Sequence, residues 1–266
     1  ILFSDVHRGV NDWADDFSQN QNLLFWALTH YYNDGFTYIE GGDGDELWEN
    51  KKFADIHEAQ SHIFWLLQKF YRQNRFYIMW GNHDIERKNP KVVGKSLYRY
   101  FDRRTLKEEP LFEGIAVHEG IVLRHTETKA KIFLVHGHQG GIMVDRLWRL
   151  DRFLQRHFWK HLQLLGVNDP TRAATNVKTR VKVEKKIIEW VRANNQMLIS
   201  GHTHHPIFPG EGEPPYYNIG SCVHPRCITG IEIRNGEIML IKWSVICNDE
   251  GVLHVSRDVL AGPRKL

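Results

Sequence analysis

Cysteine is scarce and poorly spaced for structural use: the chain carries three, Cys222, Cys227 and Cys247, and no two form a C-x-x-C pair. That argues against a disulfide framework or a thiolate zinc site, and a reducing, cytoplasmic compartment is the simpler expectation. Long apolar runs are also missing, so no segment reads as a transmembrane helix. Charge is nearly balanced, with 35 Lys and Arg against 32 Asp and Glu and a formal net charge of +3. So small an excess does not by itself imply nucleic acid or an anionic membrane surface. There is no internal repeat and no low-complexity tract. Ile1-Leu2-Phe3-Ser4 reads as the end of a strand already under way, so a few residues are expected upstream and the lack of a signal peptide carries little weight.

What the chain has in quantity is histidine: 16 in 266 residues, several beside aspartates where an apolar run stops. Ile1 to Phe3 leads into Asp5-Val6-His7, Phe36 to Glu40 into Gly42-Asp43, and Phe76 to Trp80 into Gly81-Asn82-His83-Asp84. Between them, Leu24, Ala27, Leu28 and Tyr31, then Ile63, Leu66, Leu67 and Phe70, repeat at the spacing of one helix face, with Gly35 as the stop of the first helix. Strands alternating with helices predict an α/β fold with a parallel sheet, whose functional loops lie at the strand C-terminal ends. Gly120 to His125 and Lys131 to Val135 read as a hairpin running into His136-Gly137-His138, and Gln196 to Ile199 runs into Gly201-His202-Thr203-His204. Asn218 to Ser221 follows, and a closing hairpin, Cys227 to Ile233 with Ile238 to Trp243, turns at Asn235-Gly236.

Each segment alone has a plain reading. Asp5-x-His7 could cap a loop, Gly42 to Glu46 could be an acidic turn, although the EF-hand pattern is not satisfied, and Asn82 to Asp84 could be an Asx turn. Five segments in agreement favour a two-metal hydrolytic site, because carboxylate, amide and imidazole donors converge from separate strand ends. This donor mix suits Mn, Fe or Zn better than Ca or Mg.

The order D-x-H, G-D-x-x-D/E, G-N-H-D/E, H, G-H-x-H, spanning Asp5 to His204, resembles the calcineurin-like metallophosphoesterases. The resemblance implies an αββα sandwich of two mixed sheets flanked by helices, here one domain over 1–266 with a helical insert or lid at about 142–195. It implies that Asp5, His7, Asp43 and His204 hold one divalent ion, and that Asp43, Asn82, His136 and His202 hold a second, with Asp43 shared and manganese the first expectation. In that second motif the position of Glu46 is usually structural. The implied reaction is hydrolysis of a phosphomonoester, phosphodiester or pyrophosphate bond by a hydroxide shared between the ions. His83, not needed as a ligand, fits a general acid or transition-state stabiliser, with Asp84 setting its tautomer and orientation. Arg8, Arg87 and Arg226 adjoin the motifs and are candidates for pairing with substrate phosphate, ordinary salt bridges being the plainer alternative. His138 and His205 are candidates for orienting their ligand neighbours.

The insert is basic, with Arg146, Arg149, Arg152, Arg156, Lys160, Arg172, Lys178, Arg180, Lys182, Lys185, Lys186 and Arg192, against Asp145, Asp151, Asp169, Glu184 and Glu189. Leu147, Leu150, Leu154, Phe158, His161 and Leu165 form one apolar stripe with Trp148 and Trp159 off it, a helix packed on the body or a lid over the site. Its position, and the stretch Gly42 to Trp48, resemble the bacterial UDP-diacylglucosamine hydrolases, which usually carry Arg where this chain has His83. That departure favours a broader phosphomonoesterase or phosphodiesterase acting on a phosphorylated small molecule or nucleotide-linked substrate. The alternatives are the lipid-precursor hydrolase with peripheral membrane contact through the insert, a nuclease binding nucleic acid, or a non-catalytic metal-binding scaffold. Retention of His83 and every ligand argues against the scaffold.

Overall fold

In the computed structural model, residues 1–140 and 177–266 are described. Three apolar strands lie side by side and parallel: β1 (Leu2–Phe3), β2 (Tyr38–Gly41) and β3 (Phe76–Met79). The helices between them are α1 (Gln21–Asn33), then α2 (Phe53–Ala59) and α3 (Ser61–Arg72). On α1 the buried residues include Leu24, Ala27, Leu28 and Tyr31, the face that the spacing predicts. Gly35 ends it in a left-handed conformation (φ 78°), its N–H donating to Tyr32 while Phe36 N–H donates to Tyr31. These paired bonds satisfy carbonyls that the helix end would otherwise leave open. Asn74 (φ 55°) does the same after α3, through Asn74 N–H to Tyr71 and Arg75 N–H to Phe70.

Beyond β3 come α4 (Pro90–Leu97), a hairpin of β4 (Arg99–Asp102) and β5 (Lys107–Pro110), and β6 (Val117–His118). Then follow β7 (Gly120–Arg124), β8 (Lys131–Val135), α5 (Val177–Asn194), β9 (Met197–Ser200) and β10 (Tyr216–Asn218). The chain closes with β11 (Cys227–Arg234), β12 (Glu237–Cys247) and β13 (Leu253–Lys265). One sheet has the order β13-β12-β11-β1-β2-β3-β6, the other β10-β9-β8-β7. Both are mixed: β1 pairs antiparallel with β11, and β7 antiparallel with β8. The β11–β12 turn is Asn235-Gly236 with φ 53° and 75°, the positive pair that a tight two-residue hairpin requires.

Side-chain alternation along the strands separates three apolar layers. Phe3, Tyr38 and Ile78 face α1 and α3, while Leu2, Ile39 and Met79 face the second sheet, where they meet Ile132, Leu134, Ile199 and Tyr217. Leu198, Tyr216, Phe133 and Val135 point the other way and pack under Val191, Ile187 and Ile188 of α5. The layer order is therefore helices, sheet, sheet, helix, the sandwich expected from the motifs. Of the insert, α5 is seen; the stripe from Leu147 to Leu165, Trp148, Trp159 and the basic residues Arg146 to Arg172 lie outside the described residues. No described helix is long and apolar enough to cross a membrane, and all three cysteines are free thiols.

Candidate metal centre

The loops after β1, β2, β3, β8 and β9 meet at one end of the sandwich. The first two zip together, with Asp5 N–H donating to Gly42 (3.1 Å), His7 N–H to Asp43 (2.9 Å) and Arg8 N–H to Gly44 (3.0 Å), while Gly201 N–H donates to His136 (2.9 Å). Five side chains expected as ligands sit on backbone of positive φ: Asp5 52°, His7 51°, Asp43 50°, His202 69° and His204 54°. Non-glycine residues rarely adopt this region, and its concentration here is strain held by the surrounding fold, as functional sites show. Close approach also dictates two glycines. A Cβ at Gly81 would collide with the Asp43 carboxylate, and one at Gly201 with Asp5.

The structure brings six of the seven expected ligands, Asp5, His7, Asp43, His136, His202 and His204, into close groups, and Asn82 is buried in the loop whose His83 N–H donates to Asp43 (2.7 Å). Asp5, His7 and His204 form one group able to hold an ion, Asp43, His136 and His202 another, and His7, Asp43 and His83 a third combination. Asp5 Oδ1 lies 3.1 Å from His204 Nε2, and Asp43 Oδ2 lies 3.1 Å from His136 Nε2. His136 donates its Nδ1 hydrogen to the Gly41 carbonyl (3.0 Å), so Nε2 is the nitrogen turned toward the Asp43 carboxylate. His136 Nε2 has no aligned hydrogen-bond partner, and neither does the buried Asn82 Oδ1. His7 Nε2 and His204 Nε2 face each other at 3.3 Å. Acceptors crowded so closely need a cation among them, either protons or metal ions, and the donor types suit divalent metals.

The electrostatics agree. Burial alone would push His136 down, but the charges of Asp43 and Asp5 and its hydrogen bonds raise it to about 10. Burial likewise opposes His7, which the hydrogen bond and charge of Glu46, with Asp43 and Asp5, raise to about 9. Burial would raise Asp43, yet His136, His83 and His7 hold it well below the carboxylate range. His202, lowered to about 3 by burial and by the neighbouring His136, keeps a neutral imidazole with a lone pair to give. Asp5 is fixed by Ser4 Oγ (2.6 Å) and by the backbone N–H of His202 (2.9 Å).

Glu46 is the residue that motif reading undervalued. Its carboxylate spans His7 Nδ1 and His83 Nδ1, 2.8 Å from each, while Trp48 stacks on the His83 ring at 4.3 Å between centroids. Asp84 does not orient His83, which corrects the expectation. Its carboxylate turns inward to the N–H groups of Gly81 (2.6 Å) and Gly44 (3.2 Å) and to Arg87 (3.2 Å). Arg8 and Arg87 are corrected too. Arg8 is 1% exposed and binds Glu40 with both terminal nitrogens and Asp45 with Nε; Arg87 is 2% exposed and binds Asp45 and Asp84. Guanidinium groups enclosed by three carboxylates under the loops are not positioned to meet a phosphate. Arg226 is exposed, on positive φ (61°).

His138 is buried beside His136, with 5.4 Å between rings. His205 pairs with Glu184 of α5 (3.2 Å), which also accepts from Thr203 Oγ1 (2.9 Å), so α5 steadies the His202–His204 loop. Asn218 holds the same loop, donating to Gly201 O (2.8 Å) and Thr203 Oγ1 (3.1 Å).

The family model for calcineurin-like phosphoesterases matches residues 1–206. No curated protein matches the chain. Among solved structures, Vps29 of Chaetomium thermophilum is 8% identical with a TM-score of 0.36, over 85% of this chain and 80% of that one. A putative 5′-nucleotidase from Staphylococcus aureus in complex with alpha-ketoglutarate is 14% identical with a TM-score of 0.37, over 97% of this chain and 53% of that one. The chain thus spans about half of the nucleotidase's length.

Proposed function

Because the chain belongs to the calcineurin-like phosphoesterase family, whose model covers residues 1–206, we propose that it hydrolyses phosphoesters at a centre of two divalent metal ions. Asp5, His7, Asp43 and His204 would hold one ion and Asp43, Asn82, His136 and His202 the other, with manganese the first candidate and iron or zinc next. Such a pair, when bound, acidifies a water and neutralises phosphoryl oxygens. The observation that carries this reading is the convergence of buried metal-type donors: His136 Nε2, without an aligned hydrogen-bond partner, 3.1 Å from Asp43, His204 Nε2 3.1 Å from Asp5, and Asn82 Oδ1 without a partner.

The chain's own groups divide the remaining work. Glu46 takes the Nδ1 side of His83, which leaves Nε2 to carry a proton to the departing alcohol oxygen. The same carboxylate balances the positive charge that His83 bears while it holds that proton, and Trp48 fixes the plane of the ring. Ser4 and the His202 N–H keep Asp5 oriented as an ion ligand rather than a proton acceptor. The test is turnover of p-nitrophenyl phosphate and bis-p-nitrophenyl phosphate with manganese: hydrolysis of either is expected. No turnover with metal demonstrably bound overturns the reading.

A second reading, a nuclease, draws on α5, whose Lys178, Arg180, Lys182, Lys185, Lys186 and Arg192 face only Glu184 and Glu189 in number, Glu184 being turned inward. Phosphate-backbone binding would show as an affinity for DNA or RNA that falls steeply as salt rises. Salt-insensitive or absent binding excludes it.

A further inference from the structure

The helix α5 has 18 residues and two that are buried, Val191 and Glu184. Val191 packs with Ile187 and Ile188 against Leu198 and Tyr216 of the four-stranded sheet. Position 184 continues the same stripe, at the i, i+3, i+4, i+7 spacing of an apolar helix face, yet it holds a carboxylate that is 8% exposed. A charge buried where a leucine would pack is stabilised only by the donors it meets. None of residues 177–183 is buried, so Glu184 is the most N-terminal anchor of the described helix.

Those donors belong to the loop that carries two of the proposed ligands. Thr203 Oγ1 donates to Glu184 Oε1 at 2.9 Å, and His205 Nδ1 lies 3.2 Å from the same oxygen. Thr203 is 1% exposed and stands between His202 and His204, both on positive φ (69° and 54°). Backbone in that region persists only where its surroundings hold it. On one side the holder is Asn218 at the end of β10, whose side-chain amide donates to Thr203 Oγ1 (3.1 Å) and to Gly201 O (2.8 Å). On the other side it is Glu184, which takes the Thr203 hydroxyl hydrogen from 19 positions away in the chain. The hydroxyl between the two strained histidines is thus shared by a sheet strand and the insert helix, with one bond to each.

We propose that Glu184 is a positioning residue for the metal centre: by holding the Thr203 hydroxyl it keeps His202 and His204 in their strained conformations, so that seating of α5 and loading of metal are thermodynamically linked. This role presupposes the two-ion centre proposed above, but not the ester cleaved there. Calorimetric titration of the full chain with manganese should show an affinity about tenfold weaker in Glu184→Leu, which fills the apolar stripe and removes the acceptor. Glu184→Gln keeps an acceptor oxygen and should recover most of the parental affinity. Should Glu184→Leu fail to fold, Thr203→Val removes the same bond from its other end and takes its place. In the reverse direction, manganese should slow amide hydrogen exchange along α5 of the parent chain more than along α1, and this excess should vanish in Glu184→Leu. A purely structural Glu184 would lower stability in urea and leave manganese affinity unchanged. Unchanged affinity in Glu184→Leu overturns the positioning role. So does an equal loss in Glu184→Gln, which would trace the effect to charge, and so does exchange along α5 that ignores bound manganese. A parent chain that binds no manganese sinks the two-ion centre and this role together. Manganese binding that responds as expected, without turnover of p-nitrophenyl phosphate or bis-p-nitrophenyl phosphate, sinks the phosphoesterase reading alone.

Discussion

A carboxylate as deeply enclosed as Asp43, 1% exposed, persists as an anion only where positive charge surrounds it. Asp43→Asn removes that charge from the residue proposed to serve both ions, which sits within reach of His7, His83, His136 and His202. It is therefore expected to lose metal occupancy, read by elemental analysis after gel filtration. His83→Ala should keep its metals and lose about 10²–10⁴ in kcat, the usual worth of a positioned proton donor. Equal metal loss in the two variants would place His83 among the ligands, which its proximity to His7 and Asp43 allows geometrically. Glu46→Gln keeps the side-chain shape but removes the charge shared by His7 and His83; kcat should fall with a smaller loss of metal than in Asp43→Asn. Unchanged kcat would show that Glu46 does not orient His83. The candidate donors were legible in the sequence because each segment that carries them follows an apolar strand. The partner of His83 was not legible. Asp84 is its neighbour in the chain, but its carboxylate is claimed by the N–H groups of its own turn, whereas Glu46 arrives from 37 positions away through the turn after β2.

Among the elements, the three motif loops after β1, β2 and β3 are locked by a buried ladder of charge: Glu40, Arg8, Asp45, Arg87 and Asp84. Every member is 2% exposed or less. Removing one rung leaves buried carboxylates without compensation, so Arg87→Met should destabilise the protein by about 3–5 kcal/mol, measured by urea unfolding. A loss below 1 kcal/mol would mean that the ladder does not hold the loops. Adjacency to the motifs made Arg8 and Arg87 look like phosphate binders. Only the packing of Asp45 and Glu40 against them assigns their charge to structure. A second element test concerns His57 of α2, 8% exposed and set against Tyr100 of β4 (4.3 Å) and Phe64 of α3 (5.0 Å). Burial lowers its pKa to about 4, below the ordinary 6.5, so the unfolded chain takes up this proton more readily. The stability associated with neutral His57 is complete above pH 6.5 and is lost as pH falls toward 4, by up to about 3 kcal/mol. Thermal melting at pH 7 and pH 5 should show a smaller drop in His57→Phe than in the parent chain; an equal drop rules this residue out as a cause. The hairpin that brings Tyr100 to His57 had no signature in the sequence, because β4 and β5 are short, charged and largely exposed.

For the molecule as a whole, the proposed ligands come from both sheets: Asp5, His7, Asp43 and Asn82 follow strands of the seven-stranded sheet, and His136, His202 and His204 follow strands of the four-stranded one. Bound metal would thus cross-link the two halves of the sandwich. At a hundredfold excess over Kd it adds about 2.7 kcal/mol, so chelation should lower the melting temperature by about 5–10 °C and manganese should restore it. A melting temperature indifferent to both would argue against a metal that joins the sheets. The long final strand β13 escaped sequence reading. Its side chains are mostly exposed and do not alternate, and its conformation comes from pairing with β12 along most of its length. What the sequence determined alone is whatever local chemistry encodes: the period of the helix faces, the glycine and asparagine stops, the Asn-Gly hairpin, and the order of donor residues after successive strands. Tertiary structure decided which charges meet. The Glu46 bridge and the pairing of buried Arg8 and Arg87 with Glu40, Asp45 and Asp84 join residues that are mostly distant in the chain, and their pairing energies exist only once the motif loops are packed together.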